Sequence, residues 1–265
     1  MAEIILCGRA SVEACAAMRP AALREIFVDE KRAGFFSDLR EKTSQDCCVW
    51  HEVPSAELLK IAGTPKHGGI VARTERPVPA QVKPVMRDDW HAAGEKVIFL
   101  ENISDAAQLA SIARVAAICG VTRVIADEKV SVPALENSRA WSLSEGALES
   151  VKIYRTESMA GMLRMMSEKF FVVGLVRRGG RKIDYSVVPT FPGKTVALFL
   201  SGDENGVPAE MISRCGYLFH IPEPEGSHLR FSPAELAAQI LPWISTKPKR
   251  LGAGFLARKK ARAKS

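Results

Sequence analysis

Short apolar runs alternate with stretches of helical periodicity along the first 75 residues. Apolar runs predict strands, whereas apolar residues that recur every three or four positions predict amphipathic helices. Strands are predicted at 3–7, 24–28, 47–50 and 70–73, and helices at 11–18, 35–43 and 56–62, the last with Ser55 as its N-cap. Strands and helices that alternate in this way indicate a small α/β domain over residues 1–75.

The pattern changes over residues 76–93. Pro77, Pro79 and Pro84 fall close together there, and no periodicity is sustained. Because proline fixes φ and lacks a backbone amide donor, this segment is predicted to be a stiff, extended linker.

Residues 94–245 form a larger block in which apolar runs again alternate with helical patterns. Strands are predicted at 96–100, 123–126, 170–176, 196–200 and 217–221, and helices at 105–119, 159–168, 208–213 and 232–244. Continuous apolar strands followed by helices predict a mostly parallel sheet that is covered on both faces. Ligands of such sheets bind outside the carboxyl ends of the strands. None of the apolar runs is long enough to cross a membrane.

Positive charge is concentrated at the carboxyl terminus. The 265 residues carry a formal net charge of +7, yet residues 245–265 hold eight basic residues and no acidic one. The first 244 residues therefore carry a net charge of −1. A near-neutral body with a basic, disordered tail at 246–265 indicates a polyanionic partner for the tail. The alternative is a solvated terminus that aids solubility.

Several classes of site are excluded by residue type and spacing. The six cysteines form no CxxC pair and no zinc-ligand spacing is present, so no metal site is predicted. Reduced thiols, and an N-terminus without the basic start of a signal peptide, favour a cytoplasmic protein. The sequence also has no phosphate-loop lysine motif, no GxGxxG after a strand, no HExxH and no GxSxG.

Several segments, in the right order, resemble the SpoU (TrmH-like) branch of the SPOUT RNA methyltransferases. The segments that resemble its three motifs are residues 101–114 with 120–121, residues 197–207 with Cys215 and 221–222, and residues 227–234. Residues 144–148 resemble the family's Ser-x-Gly-Ala element. The segments that resemble its substrate-recognition domain are Gly8, residues 13–14, residues 26–30 and residues 67–72.

The resemblance implies an α/β fold in which a trefoil-knotted, mostly parallel-sheet methyltransferase domain at 94–245 follows a small α/β substrate-binding domain. It also implies S-adenosylmethionine as cofactor, RNA as substrate and a homodimer that completes the site. The helix predicted at 232–244 carries Leu236, Ile240 and Trp243. These three residues suit either a dimer face or an ordinary core helix.

The resemblance assigns catalytic roles to Arg114, Gln108 and Ser232. Arg114 matches the arginine of motif 1, which family accounts describe as a base or as an organiser. Because arginine resists deprotonation, phosphate binding and electrostatic support are the favoured roles. Gln108 stands where the family has asparagine, and Ala110 stands where it has glycine.

Cofactor contacts are expected from the motif 2 and motif 3 segments. The residues concerned are Leu200, Ser201, Gly202, Glu204, Ile221, His228 and Leu229. The register of motif 2 is open, because the family's glycine and glutamate fall either on Ser201 and Asp203 or, with a one-residue shift, on Gly202 and Glu204. In motif 3 the family's Ser-Leu-Asn becomes His228-Leu229-Arg230.

RNA contacts are expected from cationic residues at both ends of the chain and in motif 3. They are Arg9, Lys66, His67, Arg230, Lys249, Arg250, Arg258, Lys259 and Lys260. The predicted function is therefore an S-adenosylmethionine-dependent 2′-O-ribose methyltransferase acting on rRNA or tRNA. The alternative is an RNA-binding paralogue that has lost efficient methyl transfer, which His228, Arg230 and Gln108 favour.

Overall fold

The computed structural model describes residues 2–43, 48–186, 195–222 and 229–245. Over these ranges the chain forms two sheets, one of four strands and one of eight. The small sheet is built by residues up to Glu75, and the large sheet by residues from Ala80 onward. This division agrees with the α/β pattern expected from the sequence.

The small sheet has the strand order β1-β4-β2-β3. β1 and β2 both run antiparallel to β4, whereas β2 and β3 are parallel. Its strands are β1 (Glu3–Cys7), β2 (Leu23–Asp29), β3 (Val49–Val53) and β4 (Ile70–Glu75), and its helices are α1 (Arg9–Met18), α2 (Ser37–Thr43) and α3 (Ser55–Ala62). The predicted N-cap of α3 is wrong, because Ser55 is the first helical residue and its hydroxyl donates to the Asp29 carboxylate instead.

The large sheet confirms the predicted mostly parallel architecture. Its strands are β5 (Ala80–Gln81), β6 (Val97–Glu101), β7 (Arg123–Asp127), β8 (Lys152–Thr156), β9 (Phe170–Leu175), β10 (Arg181–Lys182), β11 (Thr195–Ser201) and β12 (Tyr217–His220). They lie in the order β10-β12-β9-β11-β6-β7-β8-β5, and each of these neighbouring pairs is parallel. The trefoil knot stays a prediction.

Helices cover both faces of the large sheet. They are α4 (Pro84–Ala92), α5 (Ala106–Ile118), α6 (Ser131–Leu135), α7 (Ser138–Leu143), α8 (Ala147–Ser150), α9 (Met159–Ser167), α10 (Ala209–Ile212) and α11 (Pro233–Ser245). Successive side chains of a strand point to opposite faces, so Phe99 packs with Leu163 of α9 while Leu100 packs with Leu109 of α5 and Ile240 of α11. The two faces thus have separate apolar cores.

The closing helix α11 packs on the core of its own chain. Ile240 is fully buried, Leu236 packs against the same core, and the Trp243 ring meets the Phe219 ring edge-on at 5.2 Å. Ile240 is thus a core residue, whereas Leu236 and Trp243 are only half-buried, so a dimer face on this helix stays a prediction.

The segment between the two sheets is only partly extended. Ala80 pairs with Tyr154 at the edge of the large sheet, and α4 follows directly. The prediction of a linker extended throughout 76–93 is therefore wrong for its second half. Pro84 occupies the first turn of α4, where a missing amide donor costs nothing, and buried Trp90 anchors the helix.

The small domain is seated directly on the large one. The outer edge of β1 faces α7, where Ile5 N donates to Ser138 Oγ at 2.9 Å. Arg19 and Glu149 form an ion pair at 2.6 Å, and the Glu149 side chain is only 2% exposed. The Cβ of any larger residue at Gly146 would lie 2.5 Å from Ala14 Cβ. These contacts join the two domains independently of the connecting segment.

The stretch from α6 to β8 was not predicted from the sequence. Its three helices have four to six residues each, too short for apolar periodicity to be recognised. No helix within the described ranges is both long and apolar enough to span a membrane.

Candidate active site

A pocket of about 220 Å³ opens where β9, β11 and β12 end. It lies at the carboxyl edge of the parallel sheet, where ligands of such sheets bind. The predicted site residues that line it are Gln108, Ser201, Gly202, Glu204, Ile221, Arg230 and Ser232. Residues more than 100 positions apart in the sequence therefore meet here.

Gly202 joins the end of β11 to the end of β6. Its amide donates to the Glu101 carbonyl at 2.9 Å. A Cβ at this position would lie 2.0 Å from the Asn102 carbonyl oxygen, a distance that no side chain tolerates. Only glycine therefore permits the two strand ends to approach so closely.

Gly206 fixes the other end of the same loop to β9. It has a φ of +81°, and a Cβ there would lie 2.1 Å from the Leu175 carbonyl oxygen. The amide of Val207 donates to that carbonyl at 2.9 Å, and Arg177 N donates to Asn205 O at 3.1 Å. The loop 202–206 is thus held by backbone contacts on both sides, which gives the pocket a rigid wall.

The two candidate carboxylates of this loop have different surroundings. Asp203 accepts a hydrogen bond from the Asn102 side chain, and its amide donates to Ser201 Oγ at 3.0 Å. Glu204 is 69% exposed and forms an ion pair with Arg230 at 2.8 Å. Asp203 is therefore held against the sheet, whereas Glu204 faces solvent at the pocket mouth.

Ser232 caps the N-terminus of α11. Its amide donates to Glu235 Oε2 at 2.7 Å, and Glu235 N donates back to Ser232 Oγ at 3.3 Å, a capping box. These hydrogen bonds hold the pKa of Glu235 below its ordinary value. The Ser232 hydroxyl thus lines the pocket but already accepts a bond from its own helix.

Gln108 contributes from α5. It is half-buried and lines the pocket, and its Oε1 is buried without a hydrogen-bond partner among the described residues. A buried acceptor left unpaired carries a desolvation cost. A ligand that donates a hydrogen bond to Gln108 would remove that cost.

Arg114 lies outside the pocket. It follows Gln108 by six residues on α5, about 9 Å along the helix axis. Its side chain is 49% exposed and pairs with Glu145 at 3.3 Å. A single chain therefore does not bring the motif 1 arginine into the pocket wall.

Two predicted cofactor residues are also placed elsewhere. The Leu200 side chain is fully buried in the core beneath the pocket, and Leu229 is 82% exposed. His228, Lys249, Arg250, Arg258, Lys259 and Lys260 lie outside the described residues.

Two family models match the chain in order. The model of the SpoU rRNA methylase family matches residues 95–228, just over half of the chain. The chain belongs to the SpoU rRNA methylase family. A second model, described as RNA 2′-O ribose methyltransferase substrate binding, matches residues 5–80 and covers the small sheet. The chain thus carries, in order, a match to a substrate-binding model and a match to the SpoU rRNA methylase model.

Individual SpoU-family relatives are distant. An uncharacterised tRNA/rRNA methyltransferase of Haemophilus influenzae is 20% identical over 64% of this chain and 47% of its own length. The 23S rRNA (guanosine-2′-O-)-methyltransferase RlmB of Acinetobacter baylyi is 26% identical over 62% of this chain and 65% of its own length. The chain thus spans about half to two thirds of these relatives.

Solved structures share the SpoU-family fold. The AdoMet-bound rRNA methyltransferase of Sinorhizobium meliloti superposes with a TM-score of 0.70 at 19% identity, covering 92% of this chain and 86% of that one. The similarity extends over both domains and confirms the predicted α/β fold with a mostly parallel sheet.

The RNA contacts expected in the substrate-binding domain are unequal in availability. Arg9 forms ion pairs with Glu13 at 2.6 Å and Asp38 at 2.7 Å. Lys66 is exposed in the turn between α3 and β4, and His67 Nδ1 accepts from Gly69 N at 3.2 Å in the same turn. Lys66 in the turn is therefore more available for RNA contact than Arg9 on α1.

A group of carboxylates at the strand ends was missed from the sequence. Glu101 ends β6, Asp127 ends β7, and Asp203 follows β11. Burial, together with the nearby charges of Asp127 and Asp203, raises the pKa of Glu101 to about 7. The sequence signal that could have indicated this group was an acidic residue at the last position of each of two buried strands. No group of three or more potential ligands among the described residues is arranged to hold a metal.

Proposed function

We propose that this protein transfers a methyl group from S-adenosylmethionine to a ribose 2′-hydroxyl of structured rRNA or tRNA. The observation that carries the proposal is the rigid pocket at the sheet's carboxyl edge, where α5, the 202–206 loop and the start of α11 meet. The match of residues 5–80 to a 2′-O-ribose methyltransferase substrate-binding model supports the ribose as the acceptor.

The pocket residues fit the cofactor. Gly202 and Gly206 let the strand ends approach so closely that backbone atoms form the wall, and Ile221 and Leu236 add apolar surface. The unpaired Gln108 Oε1 is suited to accept a hydrogen bond from a polar group of the cofactor. When bound, S-adenosylmethionine supplies an activated methyl group on a positively charged sulfur.

Arg114 serves as the electrostatic partner of the reaction in this proposal. Its guanidinium binds the target phosphate and stabilises negative charge that develops on the ribose oxygen. Because Arg114 does not line the pocket of its own chain, the protein acts as a homodimer. Arg114 of the partner subunit then completes each site.

RNA selection is assigned to the substrate-binding domain and the basic tail. The exposed turn with Lys66 and His67 reads the folded RNA, because RNA is recognised mainly through shape and exposed loops. The tail at 246–265 supplies phosphate contacts that do not depend on sequence. Its deletion should flatten the dependence of RNA affinity on salt.

Calorimetry and methyl transfer test the proposal. We expect S-adenosylmethionine to bind and tritiated methyl groups to pass to ribosomal RNA or tRNA. A 2′-O-methyl group blocks attack of that oxygen on the next phosphate, so alkaline hydrolysis should leave labelled dinucleotides. Label released as methylated mononucleotides would identify a base methyltransferase, and absence of cofactor binding would overturn the enzymatic assignment.

A second function is favoured by one group of contacts. Arg230 and Glu204 pair at the mouth of the pocket, and the Ser232 hydroxyl is used in a helix cap. An RNA-binding paralogue without efficient transfer would have both features. It would bind RNA with a normal salt dependence while transferring no methyl group in the assay above.

A further inference from the structure

We infer that residues 177–182, here called the arginine loop, form a phosphate-binding rim that holds substrate RNA beside the pocket. The segment follows β9, includes the short strand β10, and has the sequence Arg-Arg-Gly-Gly-Arg-Lys. The inference rests on the proposed function only in taking RNA as the substrate, and it assigns RNA contacts to the methyltransferase domain itself.

The arginine loop has a fixed conformation rather than a freely moving one. Gly180 has a φ of +79°, and a Cβ there would lie 2.6 Å from the Leu218 carbonyl oxygen. Val176 N donates to Phe219 O at 2.9 Å before the loop, and Ile183 N donates to His220 O at 3.2 Å after it. The backbone is thus bonded to β12 on both sides, so the cationic side chains project from a defined position.

Three cationic side chains of the loop are exposed. Arg178, Arg181 and Lys182 have no carboxylate within ion-pair distance in the described part of the chain. Arg181 is oriented by the Tyr217 ring, whose centroid lies 4.7 Å from its guanidinium carbon. Stacking on an aromatic ring is compatible with simultaneous contact to a phosphate, because the hydrogen-bond donors lie in the guanidinium plane.

Three acids of the described residues, one just after the loop and two on the 202–206 loop, already have hydrogen-bond or ion-pair partners. Asp184 accepts hydrogen bonds from the amide and hydroxyl of Ser186. Glu204 pairs with Arg230, and Asp203 is bonded to Asn102. None of these three carboxylates forms an ion pair with Arg178, Arg181 or Lys182 in the described part of the chain.

The loop adjoins the pocket directly. Arg177 lines the pocket and also an adjoining open groove of about 630 Å³, which Arg178 lines as well. Exposed guanidinium groups at fixed spacing bind phosphate oxygens through paired hydrogen bonds. The proposed reaction brings the phosphodiester backbone of RNA next to the pocket. These cationic groups lie where they can bind its phosphates.

The test measures RNA affinity against salt for the full-length chain. The loop variant is Arg178→Ala/Arg181→Ala/Lys182→Ala, and the probe is purified ribosomal RNA. Each lost phosphate contact reduces the slope of log K against log salt by roughly 0.7–0.9, so three lost contacts reduce it by about 2. We expect that reduction and at least a tenfold weaker affinity at low salt, with S-adenosylmethionine affinity unchanged within twofold.

A matched control removes three exposed positive charges near the amino ends of the strands, away from the carboxyl edge where the pocket opens. Lys152 begins β8, Lys169 precedes β9, and Arg164 lies on α9. The variant Lys152→Ala/Arg164→Ala/Lys169→Ala changes net charge equally, so it should leave the salt slope close to that of the unmodified protein. Equal slopes for the loop variant and this control would overturn the inference.

A second variant separates folding from binding. Because Arg181 packs on Tyr217, its loss can disturb the fold, whereas Arg178 and Lys182 are exposed. Arg178→Glu/Lys182→Glu should keep an unchanged melting temperature and still weaken RNA binding more than tenfold. Unchanged binding by this variant also overturns the inference. If the loop variants bind RNA more weakly but the unmodified protein transfers no methyl group, the proposed function is overturned while the inference about the arginine loop stands.

Discussion

The pocket and the Arg114 surface are the two halves of the predicted site, and they are built in opposite ways. Backbone contacts at Gly202 and Gly206 hold the pocket with no space for a Cβ. Arg114 is a half-exposed side chain on a regular helix, with one ion pair at 3.3 Å. The pocket depends on steric fit, whereas the arginine depends on charge alone.

Because the two regions are built differently, substitutions in them should affect protein stability and methyl transfer to different extents. A substitution at the pocket glycines should disturb folding and cofactor binding together, because the strands themselves must move apart. A substitution at Arg114 should leave folding nearly intact, because exposed ion pairs contribute little to stability. The two regions can thus be tested independently.

The largest expected effect is that of Arg114→Ala on methyl transfer. Loss of a group that stabilises developing charge reduces the turnover rate by about 100-fold or more. The melting temperature and the affinity for S-adenosylmethionine should remain close to those of the unmodified protein. Arg139→Ala removes a comparable exposed arginine and should leave turnover unchanged. A fully active Arg114→Ala protein would remove this residue from the reaction.

Mixed dimers show which chain supplies Arg114. If the arginine acts across the dimer, mixing Arg114→Ala with Gln108→Leu restores one complete site per mixed dimer. We expect each variant to be inactive alone and the mixture to recover up to about a quarter of the activity by random assortment. No recovery in dimers shown to have exchanged subunits would place Arg114 and Gln108 in one chain's site.

The next effect in size is that of Gly202→Ala on stability. The added Cβ meets the Asn102 carbonyl at 2.0 Å, and overpacking of this kind costs roughly 2–3 kcal/mol. We expect the melting temperature to fall by roughly 4–10 °C and cofactor affinity to fall with it. Gly34→Ala is the matched control, because nothing lies within 4 Å of its added Cβ. Equal melting temperatures would contradict the steric account.

A smaller effect is expected at the mouth of the pocket. Arg230→Asn removes the ion pair with Glu204, which otherwise has to open before the cofactor enters. The affinity for S-adenosylmethionine, measured by calorimetry, should therefore rise several-fold. Stability should change by less than about 1 kcal/mol, as for other exposed ion pairs. Arg40→Asn breaks an ion pair of the same 2.8 Å length with Glu52 and should leave cofactor affinity unchanged. Weaker binding by Arg230→Asn would instead make Arg230 a cofactor ligand.

The smallest effect concerns Glu101 at the end of β6. Its pKa is raised to about 7 in the folded protein, so the folded state binds the proton more tightly than the unfolded chain does. Its contribution to stability is full below about pH 4.5 and is lost as the pH rises through about 7. Glu101→Gln should therefore raise the melting temperature by roughly 2–4 °C at pH 8 and hardly at all at pH 4. An equal change at both pH values would contradict the raised pKa.

Apolar patterning was a sound guide to the long elements and a poor one to the short ones. β11 and α5 fall close to their predicted bounds, since a buried strand and a helix of 13 residues each carry a clear apolar signal. α7 and α8 carry no such apolar signal, yet they form the surface on which the small domain packs. Helix α4 was missed because Pro84 at its start, together with Pro77 and Pro79 before it, suggested an extended chain.

The sequence by itself determined most of the longer strands and helices, the family resemblance and the glycine-rich loop after β11. These features depend on residues that are near neighbours in the chain, so local pattern is sufficient to find them. It also located the basic tail, because net charge needs no coordinates.

Only the tertiary structure decided which predicted residues act together. Gln108 and Gly202 meet at the pocket although 94 residues separate them, while Arg114, six residues from Gln108, does not reach it. It also decided that Arg9 pairs with two carboxylates, while Arg178 has no ion pair among the described residues. The physical reason is that proximity and charge compensation depend on distances across the fold, which sequence spacing does not specify.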